Sequence, residues 1–142
     1  MSAQFPVSDD LGLKPIRRFM SKRVVSTTSG TSIAVAIKMM QTHKISGLAI
    51  VDSQGKILGS YSEWDAMIQG SSHDLTDSIK YKTPPISVTE DTVFRFVVAQ
   101  LIKTKVKRLF ITDKQNYLVG IITRSDVLKH IFDDFLKEED SE

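Results

Sequence analysis

Lys44-Ile45-Ser46-Gly47-Leu48-Ala49-Ile50-Val51-Asp52 leaves a helical pattern, enters a short β-rich run and stops at a turn residue. Lys105-Val106-Lys107-Arg108-Leu109-Phe110-Ile111-Thr112-Asp113 does the same 61 positions later. The correspondence continues outward, with Leu58, Gly59 and Asp65 recurring as Val119, Gly120 and Asp126. A match that keeps both spacing and chemistry marks an internal duplication, and that duplication decides the fold. Upstream, Thr31-Ser32-Ile33 is matched to Asp91-Thr92-Val93 at an offset of 60, which places one extra residue in the first helix of the second copy. Two copies are too few for a solenoid, which generally needs three or more, so a closed pair burying a mutual face is expected.

Each copy reads in one order. A β-rich stretch (Val24-Val25; Ile86-Ser87-Val88) precedes a helix whose apolar stripe is Ile33, Ala36, Ile37 and Met40 in copy one and Val93, Phe96, Val97 and Leu101 in copy two. Two β-runs follow, Leu48–Val51 with Ile57–Tyr61 and Leu109–Thr112 with Leu118–Ile122. Their connections contain Gly55 and Asn116, residues that tolerate a left-handed turn. A second helix closes each copy, short after Ser62 and longer after Thr123, where Val127, Leu128, Ile131, Phe132 and Phe135 share a face. The expected fold is α+β: two β-α-β-β-α repeats packed as a pseudo-twofold pair. Residues 1–15 form an N-terminal extension, 16–69 copy one, 70–74 a polar linker, 75–131 copy two, and 132–142 a helix end and acidic tail.

Composition bounds the function. The chain of 142 residues is 41% hydrophobic, in the ordinary globular range. No apolar run approaches the roughly 18 residues of a membrane span, and the opening residues lack the basic start and apolar core of a secretion signal, so a cytoplasmic address and no membrane contact are expected. Without cysteine there is no disulfide, thiolate nucleophile or cysteine metal site. The net charge of +2 hides a basic body, with seven Lys/Arg against three Asp/Glu over 16–69 and ten against five over 75–131, and an acidic end. A basic body suits an anionic partner, but solvated amphipathic faces account for it as well. His43, His73 and His130 show no metal-ligand spacing, and no nucleophile elbow or glycine-rich phosphate loop is present. No catalytic residue, metal or cofactor is expected, and the chain is read as a non-enzyme.

Ile45-Ser46-Gly47-Leu48-Ala49-Ile50-Val51-Asp52 with Gly59-Ser60-Tyr61-Ser62-Glu63-Trp64-Asp65 resembles a CBS domain, the cystathionine-beta-synthase type of regulatory module. Val106-Lys107-Arg108-Leu109-Phe110-Ile111-Thr112-Asp113 with Gly120-Ile121-Ile122-Thr123-Arg124-Ser125-Asp126 is more similar still. Over about Pro15–Ile131 the chain resembles a tandem CBS pair, or Bateman module, standing alone, with Ala49 and Phe110 where the family often has proline. The resemblance implies two clefts that take an adenosine-containing regulatory ligand: AMP, ADP, ATP or S-adenosylmethionine. One would use Val25 and Ile45 around the base, Thr123 and Asp126 on the ribose, and Lys107 and Arg108 on phosphates. The other would use Pro85 and Val106 with Ser62 and Asp65, and departs from the family in carrying bulky Trp64 beside the aspartate and Ser46-Gly47 in place of the basic pair. The Asp126 cleft is therefore expected to be the better site. The resemblance also implies disc-like homodimers, and a regulated protein acted on in trans is expected, its identity unknown.

A carboxylate suits ribose because its oxygens accept hydrogen bonds from adjacent hydroxyls. Yet Thr123-x-x-Asp126 and Ser62-x-x-Asp65, each ahead of an apolar run, are also helix capping boxes, and the two roles coexist at a helix start. Lys107 and Arg108 suit phosphate, or complement a helix end with Lys103 and Lys105. Arg124, between the two ribose candidates, faces either the ligand or solvent. Two other readings compete: a structural dimerisation module whose clefts are filled by its own side chains, Trp64 first, and nucleic-acid binding by the basic body. The acidic tail and the lack of an aromatic stacking surface count against the latter.

Overall fold

A computed structural model describes residues 7–140 of the chain; the first six residues of the N-terminal extension and the last two of the acidic tail lie outside the described residues. The elements are α1 (Asp9–Gly12), a 3-10 turn (Ile16–Arg18), β1 (Ser26–Thr27), α2 (Ile33–His43), β2 (Gly47–Val51), β3 (Ile57–Ser62), α3 (Glu63–Gly70), β4 (Ser87–Thr89), α4 (Phe94–Thr104), β5 (Arg108–Thr112), β6 (Leu118–Thr123) and α5 (Arg124–Asp140). Each copy is β-α-β-β-α, as read from the sequence, and each builds its own three-stranded sheet, ordered β1-β2-β3 and β4-β5-β6. The chain divides into two compact units.

One unit comprises residues 23–86 with 112–118. Its core gathers Ile33, Ala36, Met40, Leu48, Ile50, Tyr61, Ala66 and Ile79. Strand β2 runs parallel to β1 and antiparallel to β3. As the middle strand it is buried from Gly47 to Ile50 without alternation, whereas β3 alternates buried and half-buried residues. Helix α2 starts where Ser32 Oγ accepts the Val35 N–H at 3.2 Å and stops where Lys44 turns left-handed at φ 54°.

The other unit comprises, among the described residues, 7–22, 87–111 and 119–140, and its core includes Val7, Leu11, Ile16, Phe94, Val97, Leu101, Leu109, Ile111 and Ile122. Two sequence expectations are corrected here. Helices α2 and α4 are both 11 residues long and the offset is 61 throughout: Thr31 N–H donates to Thr28 O as Thr92 N–H donates to Thr89 O, so no extra residue enters the second helix. The buried face of α4 is Phe94, Val97, Val98 and Leu101, because Val93 is the residue before the helix; Phe96 is 51% exposed. Along the apolar face of α5, Val127 is buried and Ile131 half-buried, while Leu128, Phe132 and Phe135 are exposed.

The leading segments are exchanged. Residues 7–22 lead into and open copy one but complete the core of copy two, and residues 75–86 open copy two but complete the unit of copy one. Ile16 N–H donates to Thr92 O at 2.7 Å and Phe94 N–H to Lys14 O at 2.8 Å; correspondingly Ile79 N–H donates to Thr31 O and Ile33 N–H to Asp77 O, each at 2.9 Å. Further along, Ser21 bridges to Ile121 as Lys82 bridges to Ser60. These close passages explain the repeated glycines: a Cβ on Gly59 would lie 2.2 Å from Lys82 O, and one on Gly120 would lie 2.4 Å from Met20 Sδ. Gly55 (φ 91°) and Asn116 (φ 72°) make the left-handed turns expected of them, after Asp52 and Asp113 each accept two turn N–H groups at 2.9 Å.

Candidate functional site

The strand-to-helix corner of copy two brings together Thr123, Arg124, Asp126, Val106 and Lys107. Thr123 ends β6, and its N–H donates to Asp126 Oδ2 at 2.9 Å while the Asp126 N–H donates to Thr123 Oγ1 at 3.2 Å. This is a reciprocal cap, so the capping reading holds. It also fixes the carboxylate and leaves a second face on it: Asp126 Oδ1 accepts no hydrogen bond, and no cation lies within ion-pair distance, among the described residues. The helix start beside it adds a positive dipole end.

The Arg124 side chain is tied to backbone carbonyls. Its Nε donates to Val106 O at 3.0 Å and its Nη2 to Lys105 O at 2.5 Å, while its backbone N–H donates to Lys107 O at 3.2 Å. The guanidinium thus binds carbonyls just past α4, where a cation complements the helix's negative end. It clamps the loop that carries Lys107, which is exposed, into Arg108, which opens β5 half-buried. Val106 is half-buried against the core of copy two.

Copy one presents the same corner with different chemistry. Ser62 N–H and Ser62 Oγ both donate to Asp65 Oδ2 at 2.9 Å, and the Asp65 N–H donates to Ser62 Oγ at 3.2 Å. The other carboxylate oxygen, Oδ1, pairs with Lys82 Nζ at 3.2 Å, the Asp65 side chain being 10% exposed and that of Lys82 68%. Glu63 N–H donates to Ser46 O at 3.0 Å, the backbone equivalent of the Arg124–Lys107 bond, but the clamp side chain is now an acid. Beneath it, burial and then the Asp65 charge push the Tyr61 phenol above its ordinary value, keeping it a donor to Gln69 Oε1 at 2.8 Å. Trp64 is 62% exposed, so its ring does not fill a cavity as the self-filling reading requires. Val25 and Ile45 lie half-buried against the core of copy one, and Pro85 is half-buried in the crossing segment.

Lys82 was not singled out in the sequence. It lies outside both local motifs, and only its structural equivalence to Ser21 marks it. Among the described residues no group of three metal-ligating side chains occurs, and His130 packs edge-on to Phe19, ring centroids 4.8 Å apart. No helix among them is long and apolar enough to cross a membrane.

Two strand-to-helix corners at one offset, each carrying a capped carboxylate on a β-α-β-β-α repeat, agree with comparison to known families: a family model for the CBS domain matches residues 16–69 and 77–133. The chain belongs to the CBS domain family. It is 29% identical over 131 residues to the inosine-5'-monophosphate dehydrogenase of Methanocaldococcus jannaschii, taking in 91% of this chain but only 26% of that enzyme. Among solved structures it is similar to the CBS domain pair of protein MJ0100 in complex with 5'-methylthioadenosine and S-adenosyl-L-methionine, with 25% identity, 82% of this chain and 98% of that one covered, and a TM-score of 0.70. It shares the fold of CBSX2 in complex with AMP at 21% identity, covering 84% of this chain and 97% of that one, with a TM-score of 0.75. The two CBS copies here span almost the full length of both those chains.

Proposed function

We propose that the chain is a regulatory CBS pair that binds an adenosine-containing ligand through copy two and passes its occupancy to a partner protein. The observation that carries this reading is the Asp126 carboxylate: one oxygen is held by Thr123 and the other takes no protein donor among the described residues. A ribose diol supplies the donors such a group accepts. Lys107 and Arg108, on the loop clamped by Arg124, are the phosphate-facing groups. The ligands of MJ0100 and CBSX2, 5'-methylthioadenosine, S-adenosyl-L-methionine and AMP, support the adenosine class. A binding role without catalysis follows from this reading.

The test is thermal unfolding with AMP, ADP, ATP and S-adenosylmethionine. A ligand at about 100 times its Kd stabilises by about 2.7 kcal/mol, a shift that melting resolves. At least one of the four raises the midpoint, and Asp126→Asn removes that shift. No shift with any of them, each at about 1 mM, overturns the reading.

A structural dimerisation role is favoured by one specific feature. Two apolar strips recur at equivalent positions, Ile37, Met40, Ala66 and Met67 on α2 and α3, and Val98, Leu101, Val127 and Leu128 on α4 and α5. Met67 is 59% and Leu128 66% exposed. Homodimerisation through such helix faces is compatible with ligand sensing. Sedimentation showing a dimer with and without ligand, together with no ligand-induced melting shift, would favour the structural role alone.

A further inference from the structure

We propose that Lys82 is an internal counter-ion that keeps Asp65 closed to a sugar diol, so that the chain takes one adenosine ligand, at Asp126, and not two. This rests on the reading of these aspartates as ribose acceptors. The two carboxylates are equivalent in the repeat, in their position in the first helical turn, and in the backbone N–H that each accepts at 2.9 Å. They differ in what reaches their second oxygen. Asp65 Oδ1 faces an ammonium at 3.2 Å, and Asp65 Oδ2 already accepts two donors from Ser62. A diol approaching Asp65 meets a carboxylate whose charge is matched and whose oxygens are both engaged; one approaching Asp126 does not.

The source of the difference is a single position in the exchanged segments. Lys82 bridges to Ser60, and Ser21 bridges to Ile121, 61 residues away from each in turn. The backbone therefore brings a residue to the same corner in both copies, a lysine in one and an uncharged serine in the other. Placing the cation on the crossing segment, rather than within residues 16–69, explains why neither capping motif carries a local sign of it. The lysine side chain is 68% exposed, so its removal leaves no cavity and its ammonium is readily hydrated. Its role is therefore at the carboxylate and not in holding the fold together.

The experiment is calorimetric titration of the whole chain with AMP, following stoichiometry. The wild type binds one AMP per chain, and Lys82→Ser, which copies the Ser21 arrangement, binds two. Lys82→Met, which keeps the apolar stem and drops the charge, also binds two; a gain with Ser but not with Met would assign the block to bulk rather than charge and overturn the counter-ion role. Melting midpoints of both variants without ligand stay at the wild-type value, separating the effect from a fold defect. Two AMP per wild-type chain, or one per chain in both lysine variants, overturns the proposal. Asp126→Asn isolates the underlying reading: it abolishes binding in the wild-type background and leaves one AMP per chain in the Lys82→Ser background. If Asp126→Asn still binds one AMP with Lys82 in place, the assignment of Asp126 as the acceptor fails instead. Absence of AMP binding in the wild type and both lysine variants overturns this proposal, while the underlying reading falls only if none of the four ligands shifts the melting midpoint.

Discussion

The two CBS copies hold the segments that cross to them by opposite means. In copy one Gln69 does it with hydrogen bonds: its Oε1 accepts from Tyr61 Oη at 2.8 Å and from Lys80 N–H at 3.1 Å, and its Nε2 donates to Ser78 O at 2.9 Å. In copy two the residue 61 positions later is His130, which meets the crossing segment through Phe19 at 4.8 Å between ring centroids, while Phe19 packs edge-on to Phe94 at 5.3 Å. Buried Ile122 stands where Tyr61 does. The backbone arrangement survived duplication; the side-chain chemistry did not have to. A satisfied polar network is directional and intolerant of losing a member, whereas an aromatic cluster accepts changes of shape.

This contrast is broken most directly at the repeated glycines. Gly59→Ala presses a Cβ against the backbone carbonyl of Lys82 and the Tyr81 ring, and is expected to cost about 3 kcal/mol in urea unfolding. Gly120→Ala meets chiefly the flexible end of Met20 and is expected to cost about 1 kcal/mol in the same measurement. Equal losses would show that the two crossings are alike. Next, Gln69→Leu leaves the buried Tyr61 hydroxyl and the Lys80 N–H without their acceptor and is expected to cost about 2 kcal/mol by denaturation. His130→Leu, an apolar replacement beside Phe19, is expected to cost under about 1.5 kcal/mol.

Smaller still, Ser32→Ala removes the side-chain cap of α2 and lowers stability by about 1 kcal/mol. Val93, at the equivalent place before α4, makes no such bond, so Val93→Ala tests packing alone. The smallest effect concerns pH. The folded state raises the Tyr61 phenol pKa, so its contribution is complete below the ordinary value of 10.0 and is lost as pH rises through the raised one. A melting profile above that value falls more steeply for the wild type than for Tyr61→Phe, and parallel profiles would remove Tyr61 from the account.

Much of this was legible in the residues. The duplication at 61 gave the order of elements, and Gly55 and Asn116 gave the hairpin turns, because those signals are local. Val93 and Phe96 were assigned to the apolar stripe of α4 because a run of apolar residues fits two helical registers; capping geometry, which separates them, depends on Lys14 O from a distant segment. Lys44 and Lys105 as left-handed helix ends carry no sequence signal, since glycine or asparagine is the usual residue there. At the site, the paired Ser/Thr-x-x-Asp corners were found by register. The clamp by Arg124 and the pairing of Asp65 with Lys82 were not, because both join residues through tertiary geometry.

The exchanged leading segments bear on what counts as one unit of inheritance and of folding. Cleave the chain in the 70–74 linker and the first fragment carries away residues 7–22, which belong to the core of copy two, while the second carries away residues 75–86, which belong to the unit of copy one. Neither fragment then holds a complete interior, and recovery requires the two to reassociate, as split proteins do by complementation. A single CBS copy excised at its sequence borders is thus a poor experimental object here; a piece that keeps one whole core, such as the core gathered within residues 23–86, has to be cut outside those borders.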